Sequence, residues 1–494
     1  MMTWGKLALR YALAGFHGGK AKGRWRALTG GAAGVALLVG GATPLFAQPA
    51  SVLAPPNMRP FSAPTADDPL LRNADATSDP ALFQGEVETA VQTNIVIDEA
   101  QAGEREARAA RVQARSALFP TIDLSIDANR SLARNFSNDI GNIIERSRPE
   151  GRTDATASMR QRLLDFGSAS IRISAATARL EAARLTTRTQ GEDVALRTIA
   201  AWYAIFAQRL MEQAAIDYGA RQEKVRDQLE RRITQGYSAR GDMPRVESSI
   251  ANTQLRLARF RRDLNTAEAQ YRTLTGHDAP AQIGRAPLPR DLPTDAADLE
   301  ALLLQSPIVR KAEAEARAAR QDARAARAER LPSIAAGIDA GRYGVFENPG
   351  DYDVRGRIIL RAQLGAGFNA KADQATARAD AADAYATRVR QDALRDAQTA
   401  LTDLKALQAQ VDAAHAAYLA SRDTRDVIAA RFASSQGTLF DLQSAEDNYF
   451  YSAANYVQSL SDRDAAHFIL LAKTGQLLPH LAISIASSDR IARP

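Results

Sequence analysis

The chain has 494 residues, no cysteine and a formal net charge of +6. Aromatic residues make up only 6% of it, too few for several compact cores, and the Ala- and charge-rich remainder favours long helices packed closely at their surfaces. The positive balance suggests a nucleic-acid partner, but Lys6, Arg10, Lys20, Lys22, Arg24 and Arg26 lie among residues 1–47 without any acid and account for all of it. The rest of the chain is neutral and offers no basic surface to phosphates.

Residues 1–47 read as a secretory signal peptide. A basic stretch runs to Arg26, an apolar, Gly-rich stretch follows to Phe46, and Ala47 is the expected cleavage residue. A single membrane anchor is the other reading, though glycines interrupt the apolar run. No later stretch approaches the roughly 20 apolar residues of a membrane-spanning helix, so an exported chain would cross a membrane only as a closed β-barrel. The absence of cysteine is read as excluding a disulfide, a thiolate metal site and an N-terminal lipid anchor on cysteine. Residues 48–80, with Pro49, Pro55, Pro56, Pro60, Pro64, Pro69 and Pro80, read as a linker.

The chain then repeats itself. A first repeat, 81–276, and a second, 299–475, are joined by a linker at 277–298 and followed by a tail at 476–494. Pro120 and Pro332, Gly167 and Gly367, Asp242 and Asp441, and Gly276 and Gly475 correspond at an offset of roughly 200 residues. The first copy has about 12 extra residues between Pro120 and Gly167, which predicts a longer loop there. Each repeat predicts a helix ending at proline (about 81–117 and 299–330), two strands, a very long helix, a short break and a return helix ending at glycine.

The strands alternate with period two. Ile122, Leu124, Ile126 and Ala128 oppose Asp123, Ser125 and Asp127. Ala155, Ala157, Met159 and Leu163 oppose Asp154, Thr156, Ser158, Arg160 and Arg162. Ile334, Ala336, Ile338 and Ala340 oppose Ser333 and Asp339. Tyr352, Val354, Ile358, Leu360, Ala362 and Leu364 oppose Asp353, Arg355, Arg357, Arg361 and Gln363. At about 10 residues each, these strands suit a tilted bilayer crossing, with the first set toward lipid and Arg160, Arg162, Arg355, Arg357 and Arg361 toward a watery lumen. A soluble sheet with one wet face alternates in the same way. Four strands close no membrane barrel, whose smallest known examples have about eight, so the barrel reading requires an oligomer.

The helices complete the pattern. Residues 169–232 contain no proline and predict roughly 95 Å of helix, with Leu196, Ile199, Tyr203, Phe206 and Leu210 on one stripe. The return helix carries a heptad seam: Val246, Ile250, Thr253, Leu257, Phe260, Leu264, Ala267, Tyr271 and Leu274. No catalytic chemistry is legible. His17, His277, His415, His467 and His480 show no metal-ligand spacing, and Gly365-Ala366-Gly367 lacks the rest of a dinucleotide fingerprint. Neither a cofactor nor a metal is expected.

The order of these parts resembles the TolC-type outer-membrane factors, the exit ducts of type I secretion and efflux. The resemblance rests on Leu118-Phe119-Pro120 and Arg330-Leu331-Pro332 before strands, and on Leu163-Leu164-Asp165-Phe166-Gly167 and Gln363-Leu364-Gly365-Ala366-Gly367 after strands. It also rests on Gly236-Tyr237-Ser238-Ala239-Arg240-Gly241-Asp242 and Gly437-Thr438-Leu439-Phe440-Asp441-Leu442 between helices, and on Leu274-Thr275-Gly276 and Lys473-Thr474-Gly475 at the repeat ends. It covers about residues 81–475.

The resemblance implies a mainly α fold with a transmembrane β part. Three chains would give one 12-stranded outer-membrane barrel and a periplasmic α-barrel of coiled-coil helices. It also implies a periplasmic adaptor and an inner-membrane transporter as partners, contact with outer-membrane lipid, and no enzyme activity. The family closes its periplasmic end with acidic rings. Asp441 matches one such acid, the second falls at Ser444, and the family glycine before this turn falls at Ser435. Asp441 and Asp242 are candidates for a gate and also for helix caps: Thr438-Leu439-Phe440-Asp441 fits a capping box, and Asp242, before Met243-Pro244, reads more as a cap than as a gate. The alternative function is an exported coiled-coil structural or adaptor protein without a barrel.

Overall fold

The computed structural model describes residues 51–485, apart from 60, 62–64, 291, 348–349 and 363–365. The expected signal peptide, the segment Gln363-Leu364-Gly365 and the last part of the tail lie outside the described residues.

The elements follow the repeat. Helices α1 (Pro69–Asp75), α2 (Pro80–Thr93) and α3 (Ile95–Ser116) lead into strand β1 (Thr121–Arg130). A loop containing the short helix α4 (Ile143–Ser147) leads to β2 (Gly151–Leu164). The long helix α5 (Ser168–Thr234) and the return helix α6 (Met243–Thr275) complete the first repeat. The second has α7 (Ala296–Gln305), α8 (Pro307–Ala328), β3 (Ser333–Arg342), β4 (Tyr352–Arg361), α9 (Ala366–Ala433) and α10 (Leu439–Thr474), followed by α11 (Leu477–His480). The extra residues of the first copy form the α4 loop.

Each helix expected before the strands is two helices. Asn94 breaks the first because its side chain accepts from Val96 N and caps α3. Ser306-Pro307 breaks the second because proline at N1 starts a helix and cannot continue one.

Helix α5 has 67 residues, about 100 Å of continuous helix. Its first half packs on α3 and α8, where Arg184 meets Glu104 and Arg179 meets Asp322. Its second half packs on α6 and α10, where Ser249 donates to Gln222 and Arg221 meets Glu446. Helix α9 is flanked in the same way, by α8 and then by α10. Each repeat thus sets shorter helices along one long one.

Every position of the predicted heptad seam in α6 is buried or half-buried. Helix α8 buries alanines on more than one face, among them Ala312, Ala314, Ala316 and Ala318. That pattern suits a helix with neighbours on both flanks, as in a wall, and alanine lets those neighbours approach closely.

The linkers are packed. Val52, Leu53, Leu70, Leu71 and Ala74 belong to the same buried cluster as Met211, Tyr218, Tyr418 and Tyr449. Thr77 pairs with Arg285 of the inter-repeat segment, and Trp202 Nε1 donates to the Gly284 carbonyl at 2.9 Å. The segment expected to be a linker is therefore a strap from Ser51 onward. Proline fixes φ and removes a donor, but it does not prevent burial where side chains supply partners.

Candidate functional site

Strands β1 to β4 form one antiparallel sheet in sequence order, which leaves β1 and β4 as its edges. The ladder places residues of like character on the same face. Leu124 faces Ala157, which faces Ala340, which faces Val354. Ile122 faces Met159, then Ile338, then Gly356. This surface is mostly apolar, with Gln161 beside Ala336 and with Arg130 and Arg342 at strand ends, and in the single chain Leu124 is 77% and Ile358 77% exposed.

The opposite surface carries Arg160, Arg162, Arg355, Arg357 and Arg361. Arg160 and Arg357 flank Gly337 in one row. A Cβ at Gly337 would lie 3.3 Å from Arg357 Nε, so glycine makes room for that arginine to cross the strand. Arg357 reaches Asp339 through Nε at 2.8 Å and Nη2 at 3.1 Å. Arg355 reaches Asp353 at 2.5 Å, and Arg162 reaches Asp165 at 3.4 Å.

Alternation placed Leu163 beside Met159 on the apolar face. The ladder instead steps from Arg162 to Leu164, which pairs with Ile334. Leu163 is the extra residue of a bulge, and the bulge passes the apolar position to Leu164. Strand β4 ends at Arg361, before Ala362.

The helix turns at the far end from the sheet are built alike. In the first repeat Tyr237 N donates to Arg232 O at 2.8 Å and Gly236 N to Ile233 O at 3.1 Å. In the second, Gln436 N donates to Arg431 O at 2.9 Å and Ser435 N to Phe432 O at 3.1 Å. Gly236 has φ 81° and Ser435 φ 61°, so serine holds the left-handed position that glycine holds in the other copy. That conformation costs an L-residue roughly 1–2 kcal/mol. Ser435→Gly is therefore expected to stabilise the protein by about 1 kcal/mol, read as a raised thermal midpoint; an unchanged or lowered midpoint contradicts this.

Asp441 stands exposed in the first turn of α10. Its N–H donates to Thr438 Oγ1 at 3.1 Å, and Thr438 Oγ1 donates to its Oδ2 at 2.7 Å. Asp242 occupies the N-cap position of α6, but its side chain makes no capping hydrogen bond.

Composition gave no sign of a buried charge network that holds the strap. Asp217 Oδ2 accepts from Val52 N at 2.6 Å and Leu53 N at 2.9 Å. Arg425 Nη1 donates to the Ala54 carbonyl at 2.9 Å, and Asp426 accepts from Asn57 N at 3.2 Å. Asp68, 2% exposed, caps α1 and accepts from Arg422 Nη1 at 3.1 Å and from the Tyr418 hydroxyl at 2.9 Å. That hydroxyl has one hydrogen, so Tyr449 donates in the 3.0 Å contact between the two phenols. Burial, with the neighbouring Tyr449 and Asp68, pushes the Tyr418 hydroxyl far above the usual phenol range.

A second latch sits near the chain end. Buried Glu192 accepts from Leu478 N at 3.4 Å, and burial raises its carboxyl to about 7. An acid whose folded pKa is raised binds its proton more tightly when folded, so its contribution to stability is fullest below the unfolded value of 4.5 and is lost as pH rises to about 7. Glu192→Gln is expected to flatten the pH dependence of the melting midpoint between pH 5 and about 7. An unchanged slope in urea or thermal melts contradicts this.

Among the described residues, no group of three His, Asp or Glu side chains is placed to hold a metal, and no helix is long and apolar enough to cross a membrane. What the geometry presents is a strand sheet with one apolar face, set on long paired helices and built twice. The outer membrane efflux protein family matches the chain over residues 87–277 and 299–476, one block for each repeat. The chain belongs to the outer membrane efflux protein family.

Solved structures share the fold of this efflux protein. The outer membrane protein VceC from Vibrio cholerae superposes with a TM-score of 0.71 at 17% identity, over 80% of this chain and 96% of that one. The CmeC outer membrane channel of Campylobacter jejuni gives 0.73 at 15% identity, over 83% and 88%. The MtrE outer membrane channel of Neisseria gonorrhoeae, solved in its open state, gives 0.65 at 19%, over 80% and 89%. No curated protein sequence matches the chain. As an outer membrane efflux protein it is a channel component and not an enzyme; it lies in the outer membrane and extends its helices into the periplasm.

Proposed function

We propose that three copies close one 12-stranded barrel and one helical tunnel, and that this duct receives its cargo from an inner-membrane transporter through a periplasmic adaptor, in efflux or type I secretion. The observation that carries the reading is the four-stranded sheet with two open edges and one face that is apolar through its central rows, with Arg130 and Arg342 only at strand ends. In lipid each unpaired edge group costs several kcal/mol, so such a sheet has to close with other copies. The apolar face then meets lipid, and the arginine face lines the water-filled lumen.

At the periplasmic end, a threefold assembly repeats Asp441 around a narrow axis. A ring of carboxylates attracts cations and excludes anions. Because Thr438 also contacts Asp441, charge and cap have to be separated. Asparagine keeps an oxygen for Thr438 and loses the charge. Asp441→Asn is expected to lower cation selectivity and block by divalent ions in planar-bilayer recordings, with the melting midpoint little changed. Asp242→Asn should do less. A drop in stability with unchanged reversal potential would make Asp441 a cap and put the constriction elsewhere.

A further inference from the structure

The two open edges of the sheet carry opposite charge on the arginine face. On β1 these are Asp123 and Asp127; on β4 they are Arg355, Arg357 and Arg361. Among the described residues Asp123 and Asp127 have no ion pair, although Arg160 lies diagonally across from Asp123 on β2, and Arg361 has none either. Arg357 is held by Asp339, and Arg355 only by Asp353 on its own strand, where Arg355 remains 77% exposed. Apart from Arg160 on the interior strand β2, the charge left over on this face of the sheet is acidic at the β1 edge and basic at the β4 edge.

We propose that Asp123 and Asp127 of one copy and the β4 arginines of the next form a charge-keyed seam that closes the barrel head to tail. The proposal rests on the trimeric reading above and adds what selects it. Two β1 edges brought together would oppose acid to acid, and two β4 edges base to base. Both two-fold pairings are therefore disfavoured, and the heterologous contact that generates rings is favoured.

The same charges restrict register. A one-residue slip would turn the apolar face of one copy into the lumen face of the next, so only even offsets are allowed. With the strand ends flush, Thr121 opposite Arg361, the ladder sets Asp127 opposite Arg355 and Asp123 diagonally between Arg357 and Arg361. On the other face Leu124 meets Ile358 and Ile122 meets Leu360. A two-residue stagger one way sets Asp123 opposite Arg361 and Asp127 opposite Arg357. The stagger the other way sets Asp123 opposite Arg357 but Asp127 opposite Asp353, acid against acid. The charge pattern thus favours two neighbouring registers, which contain no like-charge pair, over the third, which contains one.

The test reads trimer content in mild detergent for the full chain. Two doubly reversed chains are compared, Asp123→Arg with Asp127→Arg and Arg355→Asp with Arg361→Asp, together with the chain carrying all four changes. Opposite-charge pairs turned into like-charge pairs are expected to lower the trimer-to-monomer ratio about tenfold or more for each double reversal. The fourfold exchange restores opposite charge at the seam and should recover most of that ratio, a rescue that simple misfolding would not give. Wild-type trimers with equally trimeric reversed chains, or a fourfold variant no better than either double, would overturn the seam and leave the trimer standing. A monomeric wild-type chain would overturn both.

The absence of native cysteine allows a second reading of register. Oxidised Asp127→Cys with Arg355→Cys, or Asp127→Cys with Arg357→Cys, is expected to give covalent trimers. Preferential cross-linking of Asp127→Cys with Asp353→Cys would overturn the proposal.

Discussion

Placing arginine at Leu124 is expected to cost about 2–4 kcal/mol of stability in lipid if the site lies near the bilayer midplane. Leu124 is in the middle of β1, and its row continues through Ala157, Ala340 and Val354 without a polar side chain. A guanidinium there has no counter-charge on its own face. It must reach a headgroup along the strand or thin the bilayer. Arg160→Gln, on the opposite face and an interior strand, removes a charge that water already solvates. It should leave assembly nearly unchanged and shift the reversal potential in bilayer recordings further toward cation selectivity. Urea titration of the protein refolded into vesicles measures the first effect, and the reversal potential measures the second. Equal loss of assembly from both variants would mean that the two faces are assigned the wrong way round.

Removing the carboxylate of Asp68 is the other large perturbation. Asp68→Ala strips Arg422 of its buried partner, leaves the Tyr418 hydroxyl without its acceptor and removes the cap of α1. Breaking one side of a buried pair costs about 3–5 kcal/mol, because the remaining charge loses its buried counter-charge; Arg422 keeps only a 3.4 Å contact to the half-buried Asp423, which places the cost toward the lower end. The loss should be local. Residues 51–75 are expected to detach and become open to protease, while the sheet and the halves of α5 and α9 nearest to it persist. Replacing Arg422 as well, with methionine, should recover part of the loss, since an apolar pair of similar volume carries no stranded charge. Limited proteolysis with mass mapping decides this. A strap that stays protected in Asp68→Ala would show that the apolar contacts of Val52, Leu53 and Leu70 alone hold it.

Local periodicity made much of this fold legible. The α6 seam and the strand faces follow from spacing, because a coiled helix and a half-buried strand repeat their burial every few residues. The internal repeat supplied the order of parts. The strap was not legible: its partners lie far away in sequence, Tyr418 against Asp68 and Asp217 against Val52, and its proline content is that of a tether. The bulge at Leu163 also escaped, since alternation continues past a bulge only if the extra residue is known. The helix breaks had signals that could have been used, a capping Asn94 and the Ser306-Pro307 step. Ser435 shows the limit in the other direction. Serine stands there where the family has glycine, yet its turn has the hydrogen bonds found at Gly236.

A four-stranded sheet with two open edges closes in lipid only by joining copies of the chain. Mass measurement of the detergent-extracted protein, by light scattering corrected for bound detergent, tests this most directly. A particle of three chains that leaves the membrane fraction only with detergent is expected. A water-soluble single chain would contradict it.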